Sequence, residues 1–218
     1  MRISEIQLLS DDLTSTLRYY ADVLGLRLIY QDNQKVSFTT GVSILTFIKS
    51  ENVSPIYHFA FNIPPQLLME AYHWTKQRTA ILPISEGEEI ADFVNWNAKA
   101  FYFKDNNGNI LEFIARYNLD VKTEKAFDGS SIISISEIGI VSDDVAITAS
   151  HISENYNVPL FSQQPLLANF GALGDDDGLF ILSKTGRHWH PNEVEAKPYW
   201  SRTCFESGGV SHEITTGQ

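Results

Sequence analysis

One carboxylate stands out of place in the run Ile110-Leu111-Glu112-Phe113-Ile114. Strand side chains alternate between faces, so Ile110, Glu112 and Ile114 share one face while Leu111, Phe113 and Ala115 share the other. Both faces are apolar except at Glu112. A lone buried charge costs several kcal/mol at least, so Glu112 must be paired, protonated or bound to a cation. Polar side chains recur on a common face elsewhere. Glu5 and Gln7 lie opposite the helix-facing Ile6 and Leu8, and His58 and Asn62 lie opposite Tyr57, Phe59 and Phe61. Carboxylates and an imidazole gathered on one side of three strands can move protons or hold a cation.

The elements that position these residues are repeated. Ile3-Ser-Glu-Ile-Gln-Leu-Leu-Ser-Asp-Asp-Leu13 returns 132 residues later as Ile135-Ser-Glu-Ile-Gly-Ile-Val-Ser-Asp-Asp-Val145, with seven of eleven positions identical. Each copy has the pattern of a strand, a Ser/Asp helix cap and a helix. The first continues through an apolar stripe at Leu13, Leu17, Tyr20 and Leu24, a capping Gly25, and three strand candidates ending at Val42 to Ile48. A second unit opens at Tyr57 to Ile63, continues through a helix after Pro64-Pro65, and closes on a hairpin. The step Asn107-Gly108 in that hairpin supplies its tight turn. Aligned on one another, the units place Thr46 and Ser183 where Glu112 stands, and set Glu5, His58 and Glu137 at a common position. Trp96, Phe93, Phe101 and Phe103 surround the hairpin entrance, and Trp96 in its polar loop suits a pocket wall.

With 218 residues, 43% hydrophobic and 20% charged, the chain has ample length for a core and an ordinary globular composition. A net charge of −11 argues against nucleic acid or an anionic membrane as partner. No signal segment or membrane-length apolar run is evident, and Cys204 is the sole cysteine, so a cytoplasmic location is expected.

On residues 3–27, with Asp12-Leu13, Tyr20 and Leu24-Gly25-Leu26, and on residues 57–116, ending in Asp105-Asn-Asn-Gly-Asn-Ile-Leu-Glu112-Phe, the chain resembles the vicinal oxygen chelate superfamily of glyoxalases, bleomycin- and fosfomycin-resistance proteins and extradiol dioxygenases. The resemblance implies an α+β fold in which paired βαβββ units form a half-open barrel around a divalent metal. Residues 1–117 would be the paired units, 118–131 a linker, and 132–218 an additional third unit with a polar tail. Carried over position by position, the ligands fall on Glu5, His58 and Glu112, with Thr46 at the optional fourth place. Glu5 departs from the usual histidine. One imidazole and two carboxylates make a workable facial set for Fe, Mn, Zn or Mg, and the added carboxylate weakens the pull on an anionic substrate. Gln7, Thr46, Trp96 and Phe101 would line the substrate pocket.

Two functions follow from the resemblance. One is a metal-dependent lyase or dioxygenase acting on a small oxygen-rich chelating substrate. The alternative is a metal-free small-molecule binding or sequestering protein of the bleomycin-resistance type. His188 and His190 fit an exposed loop, and Glu137 with Ser183 and His212 a pseudo-site. The third unit's first strand carries Ile133, Ile135 and Val141 on an uncovered face, which predicts packing against the N-terminal pair or, by preference, a symmetric homodimer.

Overall fold

The computed structural model describes residues Met1–Gly217. The first unit is β1 (Arg2–Ser10), α1 (Leu13–Arg18), β2 (Arg27–Gln31), β3 (Lys35–Thr40) and β4 (Ser43–Lys49). The second is β5 (His58–Asn62), α2 (Leu68–Lys76), β6 (Ile81–Leu82), β7 (Ala91–Phe93), β8 (Ala98–Lys104) and β9 (Ile110–Arg116). A third follows as β10 (Ser134–Ser142), α3 (Val145–Tyr156), β11 (Phe170–Asp175) and β12 (Gly178–Lys184). A final hairpin is β13 (Ser201–Ser207) with β14 (Val210–Thr216).

The repeated Ser-Asp-Asp starts both long-range copies of the helix. Asp12 accepts from the Ser15 amide at 2.9 Å, and Asp144 accepts from the Ile147 amide at 3.0 Å, each satisfying one orphan donor of a first helical turn. The hairpin turn of the second unit is held by Asp105. It accepts from the amides of Asn107 and Asn109 at 2.9 Å and from the Tyr20 hydroxyl at 2.7 Å. Gly108 supplies the positive φ of 81°. Asn109 in turn accepts from the Tyr57 amide at 2.7 Å, which pins β9 alongside β5.

The units do not pair in chain order. One sheet runs β14-β13-β1-β4-β3-β2, and the other β11-β12-β10-β5-β9-β8-β6, with β7 on β8. Residues 1–117 are therefore not one paired body. The first unit is completed by the C-terminal hairpin, through antiparallel β1 and β13. The second is completed by the third, through antiparallel β5 and β10. The segment after Pro191, expected to be a polar tail, alternates buried and half-buried side chains along β13 and covers the free edge of β1. With that edge occupied, β5 finds its partner in β10. The expectation of a homodimer rested on a third unit without a partner; that unit has one inside the chain.

The helix-bearing faces of both sheets meet in a single core. Ile6, Leu8 and Phe47 of the first sheet belong to it, as do Phe59, Phe61, Phe113, Ile138 and Phe180 of the second. Phe180 of β12 and Phe205 of β13 stack edge to face with centroids 5.0 Å apart, joining the sheets directly. The opposite faces of the two sheets are free to form separate sites. Among the described residues no helix is long and apolar enough to cross a membrane.

Candidate metal centre

Strand register builds the site on the free face of the second sheet. Ala60 of β5 lies opposite Glu112 of β9 on one side and Glu137 of β10 on the other. A methyl group between them lets the two carboxylates approach across the strands. His58, two residues from Ala60, shares their face. Its Nε2 is 3.8 Å from Glu112 Oε2 and 3.9 Å from Glu137 Oε2. One donor atom from each of the three lies within 4.8 Å of the others, and all three residues are buried.

Electrostatics follow from that burial. Desolvation pushes Glu112 well above the usual carboxylate range, and the nearby Glu137 adds to the rise. Glu137 is also raised by burial, against the pull of Arg116. His58 is pushed down to about 4 by burial, so it is a neutral imidazole at ordinary pH. Its Nδ1 lies 3.1 Å from the Ile110 carbonyl, a contact that favours the proton on Nδ1 and leaves the Nε2 lone pair facing the carboxylates.

His58 Nε2 lies 3.8 Å and 3.9 Å from the two carboxylates, and all three donors lie within 4.8 Å of one another, a spacing that a divalent ion bonded at about 2.0–2.2 Å could bridge with small side-chain adjustments. Burial favours a proton on Glu112, and a divalent ion could take the place of that proton, with Glu137 already paired to Arg116. The donor set fits a divalent metal.

Above these residues opens a cavity of about 510 Å³ with largely aromatic walls: Phe93, Trp96, Tyr102, Phe170 and Trp189, with Arg187 and His190 at its lining. Trp189 stacks at 5.2 Å from His58, and His190 meets Tyr102 edge to face at 5.4 Å. Gly139 makes room for that indole, because a Cβ there would lie 2.6 Å from the Trp189 ring. Gly139→Val is expected to push Trp189 out of its buried seat. The check is a clear rise in acrylamide quenching that disappears when Trp189 is also replaced by Phe.

The expected ligands divide between the two sheets. His58 and Glu112 meet as anticipated, but the third carboxylate of the cluster is Glu137, not Glu5. Glu5 sits on the first sheet, where its Oε1 accepts from Gln7 Nε2 at 3.0 Å and from Thr46 Oγ1 at 2.9 Å. Neither Gln7 nor Thr46 lines the aromatic cavity. A guanidinium already serves that face: Arg202 of β13 pairs with Glu213 and is close enough to Glu5 for their charges to interact. Trp96 lines the cavity as expected. Phe101 does not. It is opposite Phe113 in the ladder and packs in the core against Tyr72, while the next residue, Tyr102, is opposite Glu112 and faces the site. A shift of one residue changes the face.

Glu137 carried a signal in the sequence, since the repeat sets it at the position of Glu5 and His58. Both copies also bulge at the same place, between Ile3 and Glu5 in β1 and between Ile135 and Glu137 in β10. His188 and His190, expected in an exposed loop, are both exposed, but His190 lies at the mouth of the cavity and the Trp189 between them is buried in its wall. Nothing in the sequence announced that placement. Arg116 was legible only as the residue ending the hairpin strand.

No family model matches the chain, and no curated protein matches it. Solved structures do. A proposed dioxygenase from Bacillus subtilis aligns over 99% of this chain and 84% of its own length, with a TM-score of 0.64 and 16% identity. A mutant of glyoxalase I from Zea mays aligns over 90% of this chain and 70% of its own, with a TM-score of 0.57 and 14% identity. At such identities the likeness speaks for architecture alone, and it agrees with the repeated strand-helix-strand units and open sheets described above. The chain has the α+β fold of the vicinal oxygen chelate proteins.

Proposed function

We propose that the protein is a divalent-metal enzyme whose ion is held by His58, Glu112 and Glu137 and whose substrate is a small, oxygen-rich molecule that enters the aromatic cavity. The observation that carries this reading is the convergence of three buried donors within 4.8 Å of one another beneath an open cavity. An imidazole with two carboxylates suits Mn(II) or Fe(II), and Zn(II) less closely. When bound, the metal supplies Lewis-acid polarisation to substrate oxygens. The chain's own residues do the rest. His58 is kept neutral and oriented by the Ile110 carbonyl. Trp189 and Trp96 supply apolar wall to the cavity. Burial and the neighbouring carboxylates hold the Tyr102 hydroxyl well above its ordinary titration range, so it remains a protonated phenol beside Glu112.

A second reading has one observation in its favour. Arg116 already covers part of the charge on Glu137, and Glu112 can stay neutral by holding its proton, so the cavity could bind a ligand without metal. Metal analysis separates the two. Protein prepared without chelator and then titrated with Mn(II), Fe(II) and Zn(II) is expected to take up about one equivalent per chain. Failure to retain any of these ions would establish the metal-free reading.

A further inference from the structure

Arg116 is an unusual residue to find at the bottom of this site. Its side chain is fully buried, with 0% exposure, and an interior guanidinium is tolerated only when it is paired. Its Nη2 donates to Glu137 Oε1, and its Nε donates to Ser136 Oγ at 3.1 Å. The guanidinium lies 5.5 Å from the ring centre of Trp96. The two oxygens of Glu137 are thus divided. Oε1 belongs to Arg116, and Oε2 faces His58 Nε2 at 3.9 Å, on the ligand side.

The division has an electrostatic result. Two carboxylates with a neutral imidazole would cancel the charge of a divalent ion and leave only Arg187, at the cavity lining, to attract an anion. Arg116 offsets one carboxylate within a dry contact, since Glu137 is 3% exposed. The other anion near the guanidinium is Asp176, whose Oδ1 is 3.6 Å from Nη1. Its Oδ2 accepts from Asn118 Nδ2 at 3.0 Å, while the Oδ1 that faces Arg116 is buried without a hydrogen-bond partner among the described residues, so Asp176 takes part of the guanidinium's charge but at a longer range than the direct Nη2 contact to Glu137.

We propose that Arg116 is a positioning residue that claims one oxygen of Glu137, restricts it to a single-oxygen ligand and cancels its charge, so that the loaded site keeps a net positive charge and accepts an anionic ligand. The Glu137–Arg116 pair then does the electrostatic work of a neutral ligand in the second first-strand position. This rests on the metal reading of the site, and it reverses the expectation that a second carboxylate weakens the pull on an anion.

The test uses the full chain, with Co(II) as metal probe and azide as anion probe, both followed in the visible spectrum. Arg116→Gln is expected to raise Co(II) affinity roughly tenfold, because the uncompensated carboxylate attracts the ion more strongly, and to lower azide affinity of the loaded site roughly tenfold. Opposite signs are the signature, since a merely structural loss weakens both. Arg116→Lys keeps the charge, and it is expected to leave azide affinity within about threefold of the parent. It also serves as the readout if the Gln variant does not fold. A fall in both affinities in Arg116→Gln, or loss of azide binding in a folded Arg116→Lys, overturns the proposal. Absence of Co(II) binding by the parent chain would overturn the metal reading and the proposal with it, an outcome distinct from either of the others.

Discussion

Glu112→Gln is expected to lower divalent-metal affinity by more than about a hundredfold, beyond the tenfold to hundredfold typical of a group that only orients a ligand. The substitution preserves shape and removes the charge. Glu112 is 2% exposed, and its Oε2 lies 3.8 Å from the imidazole nitrogen that would share the ion, so no water can replace it without rebuilding the site. Folding should not suffer in parallel. Burial already favours the neutral, protonated form of Glu112 when no metal is bound, so the amide replaces like with like and the metal-free variant is expected to unfold at about the parent's temperature. His58→Ala should lose metal to a similar degree. Glu5→Gln is the control, expected to change metal affinity by less than about twofold, because its carboxylate is held by Gln7 and Thr46 on the other sheet. Isothermal titration of the chelator-treated proteins with Mn(II) measures all three. A Glu5→Gln variant that lost metal as completely as Glu112→Gln would show that the ion sits elsewhere.

The largest effect on stability is expected from Phe113→Ala, at about 3–5 kcal/mol. Phe113 is on β9 immediately after Glu112, with its ring on the opposite face and no exposure to solvent. Four phenylalanines surround it: Phe61 at 5.8 Å, Phe101 and Phe127 at 5.6 Å, and Phe103 at 5.0 Å between centroids. These come from β5, β8 and the segment before β10, so their collapse into the space left by the ring would require three strands or segments to move together. The cavity therefore persists, and its cost adds to the lost burial. Urea unfolding should show the transition midpoint falling with little change in slope. If the loss were under about 1 kcal/mol, the cluster would have to be loosely packed. Glu112, the one proposed donor on the same strand, points away from this core, so residual folded protein should still bind Mn(II).

Much of the architecture can be derived from local chemistry. The repeated Ser-Asp-Asp caps a helix wherever it occurs, and both Asp12 and Asp144 do so. Apolar spacing after Leu13, the Asn107-Gly108 turn and the alternation around Glu112 specify strand, helix and hairpin without reference to distant residues. The sequence therefore determined the α+β units, the buried carboxylate at Glu112, and the shared face of His58. It also contained the equivalence of Glu5 and Glu137, since seven of eleven repeat positions agree.

What it did not determine was which unit lies against which. Antiparallel strand pairing is formed by backbone groups that are the same in every residue, so β1 and β10, which share five of nine residues, both offer β5 a suitable edge. The choice is made by the rest of the chain. The hairpin of β13 and β14 closes the edge of β1, and β10 receives β5. That single decision put Glu137 rather than Glu5 beside His58 and Glu112, took Gln7 and Thr46 out of the cavity, and brought Arg116 against a carboxylate 21 residues away. Local residues fix what each strand can offer; only the packing of distant strands fixes which offers meet.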